Sequence, residues 1–145
     1  MARIEKSVEI EAPVEKVFAF VTDWQNMSRF MQRTYGWRPI SERTRGDGVR
    51  VAHRQKGLGR EFAYECETSD FVENAGFTLT SFKGPKARSQ WTFGRLDDRT
   101  KVTLIAEYSV PVPILGGILD ALLVGRMAET MFDKSLQNLK ALLEG

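Results

Sequence analysis

The sequence has very little of what metal-binding, disulfide-bonded and membrane-spanning proteins need. Its 145 residues include one cysteine, Cys66, and one histidine, His53, so an internal disulfide, a histidine-based metal cluster and a histidine–histidine relay are excluded. The net charge is only +2, which does not by itself indicate a polyanionic partner. The longest apolar run, residues 110–125, contains Asp120, two prolines and three glycines, so it is too interrupted to span a bilayer. We expect no metal, no cofactor and no transmembrane segment.

What is present is the composition of an ordinary folded protein, with 42% hydrophobic and 28% charged residues. A chain of this length can bury a sizeable core as one unit, and residues 1–6 lack the apolar stretch of a signal peptide. We expect a single domain over residues 1–145 and a cytoplasmic location.

Hydrophobic periodicity predicts one strand, two short helices, six further strands and a long C-terminal helix, in that order. Alternating segments between residues 35 and 110 are separated by turn signals such as Gly46-Asp47-Gly48, which favour an antiparallel meander. Pro39 within the segment 35–43 indicates an edge strand or a bulge. The predicted class is α+β, with a curved seven-stranded antiparallel sheet wrapped around the long helix.

The long helix, predicted over residues 114–143, changes character along its length. Its second half is amphipathic, whereas the same face in the first half carries small residues, namely Gly117, Ala121, Val124 and Gly125. This pattern predicts a cavity under the first half of the helix, unless larger side chains from the sheet fill the space.

Strand alternation then predicts which side chains face this cavity. The predicted lining residues are His53, Phe62, Tyr64, Ser81, Trp91, Tyr108, Ala121, Gly125 and Met131. The predicted entrance residues are Trp24, Met27, Phe30, Ile114, Leu115 and Leu119, because the two short helices and a stiff proline-containing joint are expected to meet at the mouth.

The segment Glu11-Ala-Pro-Val-Glu-Lys-Val-Phe-Ala-Phe-Val-Thr-Asp-Trp24, followed by Asn26-Met-Ser-Arg-Phe30, resembles the opening signature of the START-like (SRPBCC) helix-grip superfamily. The resemblance is greatest to its polyketide cyclase/dehydrase and lipid-transport group, and the order of elements matches over the whole chain. It implies a cavity between sheet and helix that binds a hydrophobic or amphipathic small molecule, such as a lipid, a quinone or a polyketide. It implies no shared catalytic motif.

Two other classes of function stay open beside binding. In a cyclase- or dehydratase-like enzyme, His53 would be the candidate general base, with Tyr64 and Tyr108 as further polar groups. One histidine and two tyrosines are too few to assign catalysis, and His53 also fits a structural role at the sheet surface. Glu65 and Glu107 fall on the outward phase of their strands, so we expect them in solvent.

A ribosome- or RNA-associated module is the third class. Its sequence signal is a basic stretch that comprises Arg38, Arg43, Arg45, Arg50, Arg54, Lys56 and Arg60. Acidic residues such as Glu61 and Glu67 lie in the same hairpins, so cross-strand pairing would make this an ordinary solvated face. We therefore disfavour a nucleic-acid partner.

Four large apolar residues, Ile118, Leu119, Leu122 and Leu123, lie off the sheet-facing stripe of the long helix. Three interpretations compete for this patch. A kink at Gly125 would turn the leucines into the cavity, a homodimer would bury them, or they would make a peripheral membrane contact. We rank the three in that order.

Overall fold

The computed structural model describes residues 2–57, 59–109 and 117–145, with side chains of the last helix described from residue 122 onward. Within these ranges the chain forms seven strands, three α-helices and one 3₁₀ turn (Trp24–Asn26). The strands are β1 (Ala2–Ile10), β2 (Thr34–Pro39), β3 (Arg50–Gly57), β4 (Arg60–Val72), β5 (Gly76–Lys83), β6 (Ala87–Leu96) and β7 (Arg99–Tyr108). The helices are α1 (Val14–Val21), α2 (Met27–Phe30) and α3 (Gly117–Glu144).

All seven strands belong to one antiparallel sheet with the order β1-β7-β6-β5-β4-β3-β2. Strands β2 to β7 form a meander, and β1 closes the far side by pairing with β7, where Ile4 lies opposite Ala106. The sheet curls, the short helices follow β1, and α3 is the long C-terminal helix. The predicted α+β helix-grip fold is therefore confirmed.

Strand β2 forms one edge of the sheet and is short and irregular. Its pairing with β3 shifts register between Tyr35 and Arg38, Gly36 has a φ of +70°, and the strand ends at Pro39. A bulge and a terminal proline leave little regular edge for another chain to pair with. The edge position predicted from Pro39 is correct, but the strand stops four residues before the predicted end of this segment at 43.

Aromatic side chains from the helices fill the space next to α1. Phe18 is fully buried on α1 and makes edge-to-face contacts with Phe71 and Phe93, at centroid distances of 5.4 and 5.0 Å. The indole of Trp24 packs edge-on against Phe77 at 5.4 Å, and edge-to-face pairs add stability beyond the area they bury. This part of the core is therefore closed.

The C-terminal half of α3 is tied to the rest of the chain. Leu139 is fully buried. The Ser135 hydroxyl accepts a hydrogen bond from the backbone N–H of Gln32 at 2.8 Å, and the Glu144 carboxylate accepts one from the backbone N–H of Glu11 at 2.8 Å. These bonds fix this half of the helix against the segment after α2 and the end of β1.

The apolar residues at the start of α3 face outward wherever their side chains are described. Leu122 is 55% exposed and Leu123 is 38% exposed, so the first-ranked interpretation, that these leucines line the cavity, is wrong for both. The helix runs unbroken through Gly125, and a regular helix keeps its phase. The side chains of Ile118 and Leu119 lie outside the described part. Within the described ranges, no helix is long and apolar enough to cross a membrane.

Candidate functional site

A cavity of about 150 Å³ lies between the curled sheet and α3. An engineered cavity of similar volume in another protein accepts benzene, so this one can enclose a ring-sized apolar group. Its buried wall consists of Met27, Met31, Trp37, His53, Cys66, Leu79, Trp91, Leu104, Ala106 and Met131. Half-buried residues continue the wall outward, among them Phe62, Tyr64, Tyr108, Val124, Met127 and Phe132.

The mouth of the cavity lies where β3 and β7 end and where β6 begins. Gly57, Ala87 and Ser109 line it there, and Val124 and Met127 of α3 lie across from them. A side-chain carbon at Gly57 would lie 3.9 Å from the Met127 Cε atom, so helix and sheet come close together at this point.

The predicted entrance is only partly at this mouth. Trp24 and Phe30 are 3% and 1% exposed, because their rings complete the aromatic core beside α1, and the Trp24 Nε1–H donates to the Thr44 carbonyl at 3.0 Å. Neither lines the cavity, so their assignment to the entrance needs correction. Met27 lines the cavity but is fully buried in its deep part. Ile114 and Leu115 lie outside the described residues, as does the Leu119 side chain.

Six of the predicted lining residues surround the cavity: His53, Phe62, Tyr64, Trp91, Tyr108 and Met131. Ser81 does not line it, because its hydroxyl donates to the Pro85 carbonyl and accepts from the Ala87 N–H, at 2.8 and 3.0 Å. Gly125 does not line it either, since a side chain there would meet nothing within 4 Å. The Ala121 side chain lies outside the described part.

Three parallel rings on neighbouring strands form one wall. His53 on β3 stacks on Trp37 of β2 at a centroid distance of 3.9 Å, and on Tyr64 of β4 at 4.8 Å, with interplanar angles of 5° and 3°. The distance from His53 to Tyr64 matches the spacing of adjacent strands, and the Trp37 ring lies closer to His53 than that spacing. Trp37 is held in place by its Nε1–H, which donates to the Thr34 hydroxyl at 2.8 Å.

Sequence alternation missed Trp37. Strict alternation puts Tyr35 and Trp37 on the same face of β2, yet Tyr35 is 39% exposed and Trp37 is 6% exposed. The register shift between Tyr35 and Arg38 separates them. Glycine at position 36 was the only sequence signal for this, since glycine within a strand often marks a bulge.

The ionisable groups of the inner wall, His53, Tyr64 and Cys66, are uncharged at neutral pH, whereas the charged residues of the lining lie at the mouth. Desolvation lowers the pKa of His53 to about 4, and it raises the pKa of Tyr64 and of Cys66 to about 12 each. The His53 Nδ1 atom is enclosed and has no hydrogen-bond partner among the described residues. In the same part of the chain, no group of three histidine, cysteine, aspartate or glutamate side chains is placed to hold a metal ion.

Three of the seven residues of the basic stretch, Arg45, Arg50 and Arg54, form ion pairs among the residues that the structure describes. Arg50 pairs with Glu67 and Arg54 with Glu61, both at 3.1 Å. Cross-strand pairing was the expected sign of a solvated face, so the strand positions Arg50 and Arg54 do not favour an RNA-binding surface. Glu107 departs from expectation, because it is half-buried and lines the cavity mouth instead of lying free in solvent.

A family model described as "Polyketide cyclase / dehydrase and lipid transport" matches residues 1–144. The chain belongs to this family. Membership of the polyketide cyclase/dehydrase and lipid transport family confirms the START-like superfamily predicted from the motif at residues 11–30. No functionally curated protein matches the sequence.

Solved structures similar to this family member share its fold at low sequence identity. The protein TTHA0849 from Thermus thermophilus is 19% identical, with a TM-score of 0.84 over 97% of this chain and 95% of its own. A START superfamily protein from Mycobacterium smegmatis is 16% identical, with a TM-score of 0.81 over 98% and 97%. The Zhui aromatase/cyclase from Streptomyces sp. R1128 is 15% identical, with a TM-score of 0.80 over 99% and 93%. Such low identities show the fold alone.

Proposed function

We propose that the protein binds a hydrophobic or amphipathic small molecule, such as a lipid, a quinone or a polyketide, in the cavity between the sheet and α3. The observation that carries this proposal is an apolar cavity whose buried ionisable groups, His53, Tyr64 and Cys66, are all uncharged at pH 7. A wall of this kind favours apolar groups, because no bound charge has to be desolvated when the ligand enters. Family membership supports the same class of ligand.

The cavity volume sets how much of such a molecule is enclosed. A ring-sized group that buries roughly 150 Å² of apolar surface gains about 4 kcal/mol, which corresponds to a dissociation constant near the millimolar range. Tighter binding requires further contacts outside the enclosed volume. We therefore expect a ligand with one apolar end in the cavity and the rest of the molecule at the mouth.

Catalysis of a cyclase type is the alternative, because the Zhui aromatase/cyclase is among the structural relatives. A general acid or base works best when its pKa lies near the operating pH. Here burial moves the pKa of His53 down to about 4 and the pKa of Tyr64 up to about 12. Both shifts lead away from neutrality, so the cavity favours binding over acid–base chemistry.

The test compares two alanine-to-phenylalanine substitutions on α3. Ala128 lines the cavity, whereas Ala141 is exposed near the end of the same helix. We expect Ala128→Phe to fill the cavity and to weaken binding of the neutral fluorophore N-phenyl-1-naphthylamine by at least about 10-fold, a loss of 1.4 kcal/mol or more. Ala141→Phe should bind like the wild type.

Native mass spectrometry of the freshly purified proteins gives a second readout. A co-purified small molecule should be present with the wild type and with Ala141→Phe, and reduced with Ala128→Phe. Circular dichroism controls for folding of both variants. If the wild type binds no fluorophore, or if Ala128→Phe binds it as well as the wild type does, the proposal is refuted.

A further inference from the structure

We propose that the ligand is an anionic amphiphile, whose carboxylate, sulfate or phosphate group is bound at the cavity mouth by Arg33 and Lys56. This inference rests on the proposed function, since it identifies the polar end of the molecule whose apolar end enters the cavity. Both cations line the cavity, and the Lys56 backbone N–H donates to the Arg33 carbonyl at 2.8 Å. The backbones of the two residues are therefore hydrogen-bonded to each other, and their side chains begin on the same side of the mouth.

A shallow groove continues outward from this side of the mouth. It is lined by Arg33, Lys56, Gly57, Gly59, Arg60 and Glu61, and the first three of these also line the cavity. The apolar cavity and the groove are thus contiguous. A molecule whose apolar end enters the cavity can place its other end in the groove beside these cations.

The cations of the groove differ in their ion pairing from most arginines of the adjoining hairpins. Among the described residues, no carboxylate lies within ion-pairing distance of Arg33, Lys56 or Arg60, whereas most arginines of the adjoining hairpins are paired. The one acidic residue of the groove, Glu61, is already bonded to Arg54 and to the Tyr35 hydroxyl. The groove therefore has excess positive charge available to an anionic group.

The backbone at Arg33 supports a role beyond simple solvation. Arg33 has a φ of +65°, which is uncommon for a residue with a side chain and costs about 1 kcal/mol or more. Strained residues of this kind cluster at ligand sites. Its position, between α2 and β2, directs the chain past the end of β3, where Lys56 lies.

The distribution of charge around the mouth also predicts how the ligand is oriented. Glu107, the acidic residue of the lining, is on β7, and three strands separate β7 from β3 in the sheet order. Arg88 of β6 lies opposite Glu107 in the sheet and also lines the cavity, so the charges on that side balance. The β3 side has excess positive charge, which attracts an anionic group. We infer that the charged end of the ligand lies over the end of β3 and that its apolar end points toward Trp91.

Two fluorophores with the same ring system test the inference. 8-Anilino-1-naphthalenesulfonate carries a sulfonate, and N-phenyl-1-naphthylamine does not. We expect the wild type to bind the sulfonate at least about 10-fold more tightly at low ionic strength. The double variant Arg33→Gln/Lys56→Gln should lose most of this preference, which is measured as the ratio of the two dissociation constants.

A matched control removes the same amount of charge elsewhere. Lys101 and Lys134 are exposed and do not line the cavity, so Lys101→Gln/Lys134→Gln should keep the full preference for the sulfonate. Displacement of the bound sulfonate by decanoate or by decyl phosphate, each of which supports the proposal, then distinguishes a carboxylate from a phosphate ligand.

The two proposals fail in different ways. If the wild type binds both probes equally, or if the control variant loses as much preference as Arg33→Gln/Lys56→Gln, the anionic ligand is refuted while the binding function stands. If the wild type binds neither probe, the binding function is refuted and the anionic ligand with it.

Discussion

The buried histidine makes the stability of this protein depend on pH in a predictable direction. The pKa of His53 is about 4 in the folded protein against an ordinary 6.5, so the unfolded chain binds a proton that the folded chain excludes. The stability that the folded protein gains from keeping His53 uncharged is fully present above pH 6.5 and is lost as the pH falls toward 4. Between pH 8 and pH 5 it amounts to about 2 kcal/mol, at 1.36 kcal/mol for each pKa unit.

The measurement is chemical denaturation of the wild type and of His53→Gln at both pH values. Carboxylates whose pKa is lowered, such as Glu15, by its hydrogen bond with Arg95, and Glu144, by its hydrogen bond with Lys140, also weaken the fold in acid. Their contribution is common to both proteins and cancels in the difference. The wild type should therefore lose about 2 kcal/mol more than the variant between pH 8 and pH 5.

Nuclear magnetic resonance gives a direct check, because His53 is the only histidine in the chain. Its ring-proton signals in the folded protein should show no titration down to about pH 5. A midpoint near 6.5 in the native protein, or an equal pH dependence in the wild type and the variant, would show that the ring is hydrated, and the reasoning from burial would be refuted.

Three further predictions test α3. Gly125→Ala should raise the free energy of unfolding by about 0.5–1 kcal/mol in urea denaturation, since alanine favours the helix and its Cβ would meet nothing; a decrease would mean that a group packs there. Ser135→Ala should lower it by about 1–3 kcal/mol by leaving the Gln32 N–H without its acceptor, and a change below about 0.5 kcal/mol would contradict this. Leu122→Glu should change it by less than about 0.5 kcal/mol, because Leu122 is 55% exposed; light scattering that shows the wild type as a dimer and the variant as a monomer would instead support the homodimer interpretation.

The fold could be predicted from the sequence because its strands follow one another with short turns. Alternation in β4, β6 and β7 placed Phe62, Trp91 and Tyr108 on the inner face, and the cavity is lined by all three. The alternation failed where the backbone is irregular. The bulge in β2 turns Trp37 inward. The Ser81 hydroxyl donates a hydrogen bond to the Pro85 carbonyl and does not face the cavity.

The electrostatics of the site were outside the reach of sequence reasoning for a different reason. The pKa of His53 depends on how completely its surroundings remove it from water, and Trp37, which stacks on it, is contributed by another strand. Similarly, whether an arginine forms an ion pair depends on which carboxylates lie within reach of its side chain. Arg54 forms an ion pair with Glu61 across the hairpin, whereas Arg33 has no carboxylate within ion-pairing distance among the described residues. Composition shows equal charges in both cases, and only the three-dimensional arrangement distinguishes them.

The way α3 is attached affects how the protein can change its ligand over time. Ser135 and Glu144 hold the second half of the helix through backbone groups of distant segments, while Val124 and Met127, in the first half, border the cavity mouth. Substitutions at Val124 and Met127 can therefore reshape the mouth without removing either of these hydrogen bonds, whereas a substitution at Ser135 or Glu144 removes one. A single helix thus has residues that shape the ligand site in one half and residues that anchor it to the fold in the other.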